Sequence, residues 1–125
     1  MMVRGSCLCG AVAFEVEGDL PAPNACHCGQ CRKQSGHYWA SSDVPEDRLT
    51  LTRDEGLSWF RSSENVRRGF CRLCGSFLFW DPATQPVIAV AMGAIEAPTG
   101  ITLRKHIFTA DKGDYYDIAD GLPQE

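Results

Sequence analysis

All seven cysteines of the chain fall in three short stretches: Cys7-Leu8-Cys9-Gly10, Cys26-His27-Cys28-Gly29-Gln30-Cys31 and Cys71-Arg72-Leu73-Cys74-Gly75. Thiolates two or three positions apart can grip one soft metal ion from a tight turn. A glycine beside them lets the backbone double back on the sulfurs. A closed tetrahedral zinc site takes four sulfurs, and a site with one open position takes three. The spacing therefore predicts a structural zinc on Cys7, Cys9, Cys71 and Cys74. It predicts a second, reactive zinc on Cys26, Cys28 and Cys31. A disulfide framework fits less well. Met1–Ser6 lacks the apolar run of a secretory leader, the cysteine count is odd, and a bridge within Cys-x-Cys is strained. Reduced thiols in this number imply a reducing compartment, so the expected location is the cytoplasm.

The three-cysteine site has a recognisable chemistry. If Cys26-His27-Cys28 is extended, the two cysteines point one way and His27 the other. The fourth position then falls to water, to His37 or His106, or to a substrate. Three thiolates on Zn²⁺ leave a net charge of −1, a poor Lewis acid for hydrolysis. Ligand softness instead favours an external thiol. Arg32-Lys33 follows this cluster directly and could pair with a substrate carboxylate. Arg67-Arg68 precedes the third cluster, and Arg104-Lys105-His106 lies further on. Tyr38 and Trp39 stand where they could wall a pocket.

Composition narrows the function. A chain of 125 residues suits one domain, residues 1–125, with a core of its own. Apolar residues make up 44% and charged residues 22%, ordinary for a globular protein, and no apolar run is long enough for a membrane span. The formal charge of −4 becomes more negative with thiolate ligation, which argues against a general nucleic-acid binder. Membrane and nucleic-acid partners are therefore not expected. The chain has no phosphate loop, dinucleotide fingerprint or serine–histidine–acid motif.

The elements that must position these residues read mostly as strands. Ala11–Glu17 alternates, with Val12, Phe14 and Val16 on one face. Residues 37–42, 48–53, 57–61, 66–70, 76–80, 87–92 and 101–108 are further short β-type runs. Turn residues separate them, among them Val44-Pro45-Glu46-Asp47 and Asp81-Pro82. Gly29–Ser35 could form a helical turn that brings Cys28 and Cys31 to one side. The polar tail Ala119–Glu125 reads as a frayed end. The expected fold is mainly β, with short twisted antiparallel sheets stapled by zinc and very little helix.

Three stretches carry a family likeness: Gly5-Ser6-Cys7-Leu8-Cys9-Gly10-Ala11-Val12, Cys26-His27-Cys28-Gly29-Gln30-Cys31-Arg32, and Arg68-Gly69-Phe70-Cys71-Arg72-Leu73-Cys74-Gly75-Ser76. With His106-Ile107-Phe108 and Asp120-Gly121-Leu122-Pro123, the chain resembles the short bacterial members of the glutathione-dependent formaldehyde-activating enzyme family, which also includes centromere protein V. The resemblance implies a β-tent fold. It also implies two zinc ions: a structural one on Cys7, Cys9, Cys71 and Cys74, and a labile catalytic one on Cys26, Cys28 and Cys31. The activity it implies joins glutathione and formaldehyde into S-(hydroxymethyl)glutathione, a carbon–sulfur lyase reaction. Tyr115-Tyr116 stands where the family pattern suggests a tryptophan.

The leading expectation is a zinc-dependent carbon–sulfur lyase-like enzyme acting on a thiol or thiol adduct, glutathione first. Its rival is a non-catalytic zinc module that binds a protein partner. A cleft at the three-cysteine site separates the two, because a binding module would expose an apolar patch there instead.

Overall fold

The computed structural model describes all 125 residues. Ten strands and one helix make up its regular structure: β1 Met2–Ser6, β2 Ala13–Glu17, β3 Asn24–Cys26, α1 Gly29–Ser35, β4 Trp39–Pro45, β5 Leu49–Arg53, β6 Leu57–Ser63, β7 Val66–Cys71, β8 Phe77–Pro82, β9 Val87–Ala91 and β10 Lys105–Ile107. The chain is mainly β, as expected. Strands β1, β2 and β5 form a three-stranded sheet, and the order β10-β3-β4-β9-β8-β7-β6 forms a seven-stranded one.

Alternation explains how the two sheets meet. Val12, Phe14 and Val16 are buried along one side of β2 and its approach. They pack against Val44, Leu78, Phe79, Ile88 and Val90 of the large sheet in one cluster. Phe14 and Phe79 touch edge to face, with ring centroids 5.4 Å apart. This is a favourable aromatic geometry that adds to the burial of two large rings. Cys7 and Cys71 belong to the same cluster.

Strand β9 is buried on both faces. Ile88 and Val90 face the main core, while Ala89 and Ala91 join a second cluster with Cys31 and Trp39. The small sheet thus covers one face of the large sheet, and helix α1 with the three-cysteine loop covers part of the other. Trp39 stacks on Phe77 across this second face, at 4.1 Å between centroids.

Several expectations need correction. Strands β1 and β3 lie in stretches that carry no strand signal of their own. Strand β4 runs on through Val44-Pro45 and β8 through Asp81-Pro82, where turns were expected. Proline ends each of these strands, where its missing N–H interrupts no ladder. Of the run 101–108 only Lys105–Ile107 is strand, and it pairs with β3 in parallel, so the sheets are not wholly antiparallel. The tail is not frayed. The His106 N–H donates to the Pro123 carbonyl, and the Glu125 N–H donates to the His106 carbonyl, both at 2.9 Å.

Candidate metal centres

Each pair of the four-cysteine group sits in a tight knuckle. In the first, the Gly10 N–H donates to the Cys7 carbonyl; in the second, the Gly75 N–H donates to the Cys71 carbonyl. Gly10 at φ 84° and Gly75 at φ 82° adopt the left-handed backbone that lets each knuckle close. The Leu8 N–H donates to Ser76 Oγ at 3.1 Å and joins the two knuckles. Cys7, Cys9, Cys71 and Cys74 thereby bring their sulfurs within 4.8 Å of one another.

The sulfur spacing fits a metal and not a disulfide. Cys7 to Cys9 and Cys9 to Cys71 are each 3.7 Å between Sγ atoms. Sulfurs placed about 2.3 Å from a central ion at tetrahedral corners lie roughly 3.8 Å apart. All seven cysteines are free thiols. Two contacts prepare the sulfurs for ligation. The Val12 N–H donates to Cys7 Sγ at 3.3 Å. The Ser76 hydroxyl lies 3.2 Å from Cys74 Sγ, and this contact is the main cause that lowers the Cys74 thiol to about 5.

The second group is Cys26, Cys28 and Cys31, whose sulfurs also lie within 4.8 Å of one another. Cys26 ends β3. Cys28 caps α1, its sulfur accepting the Cys31 N–H, and one turn of helix returns Cys31 to the same side. The Cys26 contact comes first among the causes that lower Cys31 to about 6, with Arg68 adding to it. The same pairing and burial push the Cys26 thiol up. Both donor sets suit a thiophilic divalent ion, and the three-sulfur set leaves a tetrahedron one ligand short.

His27 points away from the sulfurs, as extended backbone requires. It is fully buried, with Nε2 2.8 Å from His106 Nδ1 and Nδ1 bonded to the Tyr116 hydroxyl. His106 Nε2 is held by Asp120 at 2.7 Å, so both its nitrogens are engaged and it cannot also complete the metal site. His37 packs against Tyr38 and Tyr116.

The three cysteines open onto a cleft of about 700 Å³. One cross-strand row, Arg68–Trp80–Ala89–Asp43, forms part of its floor. Trp39 and Phe108 add apolar wall, while Gln30 and Ser63 add polar groups. Tyr38 borders a neighbouring cleft of about 740 Å³ instead, which Trp39 shares. Arg32 and Lys33, the expected anion-binding pair, do not line the three-cysteine cleft. Its cation is Arg68, which the sequence marks as half of a basic pair and as the start of the third family stretch, with no anion-binding role. Arg67 and Arg68 are adjacent on a strand, so alternation should send one of them inward, and that signal was available.

A family model described as "Glutathione-dependent formaldehyde-activating enzyme" matches residues 2–111. A Halomonas elongata protein provisionally named a glutathione-dependent formaldehyde-activating enzyme is 29% identical, over 94% of this chain and 82% of its own. An uncharacterized lyase of Schizosaccharomyces pombe is 28% identical, over 94% of this chain and 85% of its own. A crystal structure of a Rhodobacter sphaeroides protein superposes with a TM-score of 0.67 at 24% identity, over 82% of this chain and 98% of that one. This last likeness concerns the fold.

Proposed function

This chain belongs to the glutathione-dependent formaldehyde-activating enzyme family, and on that premise we propose that it is a zinc-dependent, carbon–sulfur lyase-like enzyme acting on a low-molecular-weight thiol or its adduct. Glutathione and formaldehyde are the first pair to test. The observation that carries this reading is the opening of Cys26, Cys28 and Cys31 onto a cleft sized for a small molecule. A non-catalytic binding module offers no reason for such a cleft. We read residues 1–125 as one zinc-binding domain, with Cys7, Cys9, Cys71 and Cys74 as its structural staple.

Zinc held by Cys26, Cys28 and Cys31 would supply a soft, electron-rich open position at which a fourth sulfur stays nucleophilic. The chain's own groups do the rest. Trp39, Trp80 and Phe108 give the cleft apolar surface for the substrate to pack on, and Gln30 and Ser63 offer hydrogen bonds to the substrate backbone. In the forward direction the thiol sulfur bonds to the formaldehyde carbon and the carbonyl π pair moves onto oxygen. The proton given up by the thiol ends on that oxygen. The reverse direction breaks the same carbon–sulfur bond, and neither direction changes oxidation state overall.

The test is exchange spectroscopy on ¹³C-formaldehyde with glutathione at equilibrium, since thiols also add to formaldehyde unaided. Zinc-loaded protein should speed interconversion of the free and S-hydroxymethyl forms, and Cys28→Ser should abolish the increase. No acceleration by fully loaded protein would turn the reading toward a binding module.

A further inference from the structure

Arg68 is the only cation that lines the three-cysteine cleft, and it is 4% exposed. A buried guanidinium is costly unless an anion compensates it. Its neighbour Arg67 has such a partner, pairing with Asp81 at 2.7 Å and stacking on Trp59. Arg68 enters none of the chain's four ion pairs. Its donors go to Ser62 Oγ at 3.2 Å, Gln34 Oε1 at 3.3 Å and Cys31 Sγ at 3.5 Å, and it lies over the Phe77 ring. Two of these three acceptors are neutral. Asp43 lies in the same cross-strand row but three strands away, roughly 14 Å at ordinary strand spacing. The sulfur cluster is therefore the only group touching Arg68 that can carry the balancing negative charge.

We propose that Arg68 is the fixed counter-charge of the three-cysteine centre and the residue that makes its open position select an anionic sulfur ligand over a neutral one. The proposal rests on reading that cluster as an open metal centre. Three thiolates on a divalent ion carry −1, and a fourth thiolate would bring −2 into a half-buried cleft. With the guanidinium in contact, the same step ends at −1. A neutral ligand gains nothing comparable, because it adds no charge for Arg68 to offset. Arg68 acts through Cys31, so it is a positioning residue for the reaction and not a catalytic one.

The test is ligand titration of the cobalt-substituted protein at one fixed pH, followed by the sulfur-to-cobalt charge-transfer band. The probes are 2-mercaptoethanol, which carries no charge apart from its sulfur, and imidazole, which binds neutral. Arg68→Gln should still take up two cobalt equivalents. Its mercaptoethanol affinity should fall about tenfold to a hundredfold, and its imidazole affinity should stay within about twofold. Arg68→Lys, which keeps the charge, should retain most of the thiol preference. If Arg68→Gln does not fold, Gln34→Glu carries the test. It places a carboxylate on the same Nη1 and cancels the cation without removing it, so it too should weaken thiol binding selectively. Unchanged thiol affinity in either variant overturns the proposal, as does an equal loss for both probes. Failure of the wild-type cobalt protein to bind any thiol is a distinct result. It defeats the open-centre reading itself, and this proposal with it.

Discussion

His27 Nε2 lies 2.8 Å from His106 Nδ1, and that contact ties the loop between two site cysteines to the C-terminal segment. It belongs to a directional chain. Asp120 is held below the usual carboxylate range, first by its bond to His106, so Oδ2 accepts and His106 Nε2 donates. With a neutral His106 ring, Nδ1 is the acceptor, which makes His27 Nε2 the donor. His27 Nδ1 in turn accepts from the Tyr116 hydroxyl. Burial first, and then His106, lowers the His27 pKa, in keeping with a neutral ring.

The direction of that chain can be reversed by one substitution. Asp120 Oδ1 already accepts the Leu122 N–H at 3.1 Å. In Asp120→Asn the remaining oxygen should keep that bond, which turns the amide NH₂ toward His106. The proton on each histidine should then move to its other nitrogen. Nitrogen-15 NMR of the two rings reports the tautomers directly. Unchanged tautomers in a folded Asp120→Asn protein would refute the assigned directions.

The two cysteine groups should differ in what they do for the fold. Cys7 and Cys71 sit in the main core beneath the small sheet, at 4% and 0% exposure, so the four-cysteine group ties both sheets together. Cys74→Ser should cost several kcal/mol or abolish soluble folding, because structural metal binding is coupled to folding. Cys28→Ser should remain folded and lose about one metal equivalent. Thermal melts with metal analysis decide between these outcomes. Equal damage from both substitutions would contradict the division.

The two cysteine clusters were legible in the sequence because their members lie in short local motifs, where spacing alone restricts which sulfurs can meet. Helix α1 was legible for the same reason, since Cys28 and Cys31 need one turn to converge. What was not legible depends on pairing between distant strands. Strand β3 owes its existence to β4 and β10 on either side, and β1 to β2. The residues Asn24-Ala25-Cys26 carry no strand pattern of their own. Arg68 reaches Cys31 only because β7 lies in the same sheet as β4 and opposite α1. The tail is ordered by backbone bonds to His106 and Thr109 that no composition rule anticipates.

Gly56 offers a test of the four-cysteine group that leaves its ligands untouched. Gly56 is buried between the two knuckles: its N–H donates to the Ala11 carbonyl, and its own carbonyl accepts the Arg72 N–H. A Cβ there would stand 2.8 Å from Cys71 Sγ and 2.9 Å from Ala11 Cβ. Neither neighbour can swing aside, since both are short and held by core packing. Gly56→Ala should therefore destabilise by about 1–3 kcal/mol and speed metal release from the four-cysteine group ahead of the three-cysteine one. Chelator-release kinetics would show it. Wild-type stability and release in Gly56→Ala would mean the knuckles yield more easily than their contacts imply.

Asp43 carries the clearest pH-linked prediction, because its shift is opposite to that of an ordinary ion-paired carboxylate. The residue as a whole is exposed, yet its carboxyl loses water at the cleft, and burial pushes it up; the charge of Arg104 offsets this only in part. A carboxyl with a folded pKa above its unfolded value of about 3.9 holds more protons when folded. Stability is then greatest below the unfolded value, falls as pH rises through the folded one, and stays lower above it. At pH 7 Asp43 is a net cost. Asp43→Asn should melt above the parent at pH 7, and that gain should shrink as pH falls toward the unfolded carboxylate value, where Asp43 is neutral in both states. Arg104→Ala should lower the melting temperature of the parent more than that of Asp43→Asn, because only the parent has the charge that Arg104 offsets. An Asp43→Asn protein that melts at or below the parent at pH 7 would show that Asp43 is better paired in solution than its surroundings indicate.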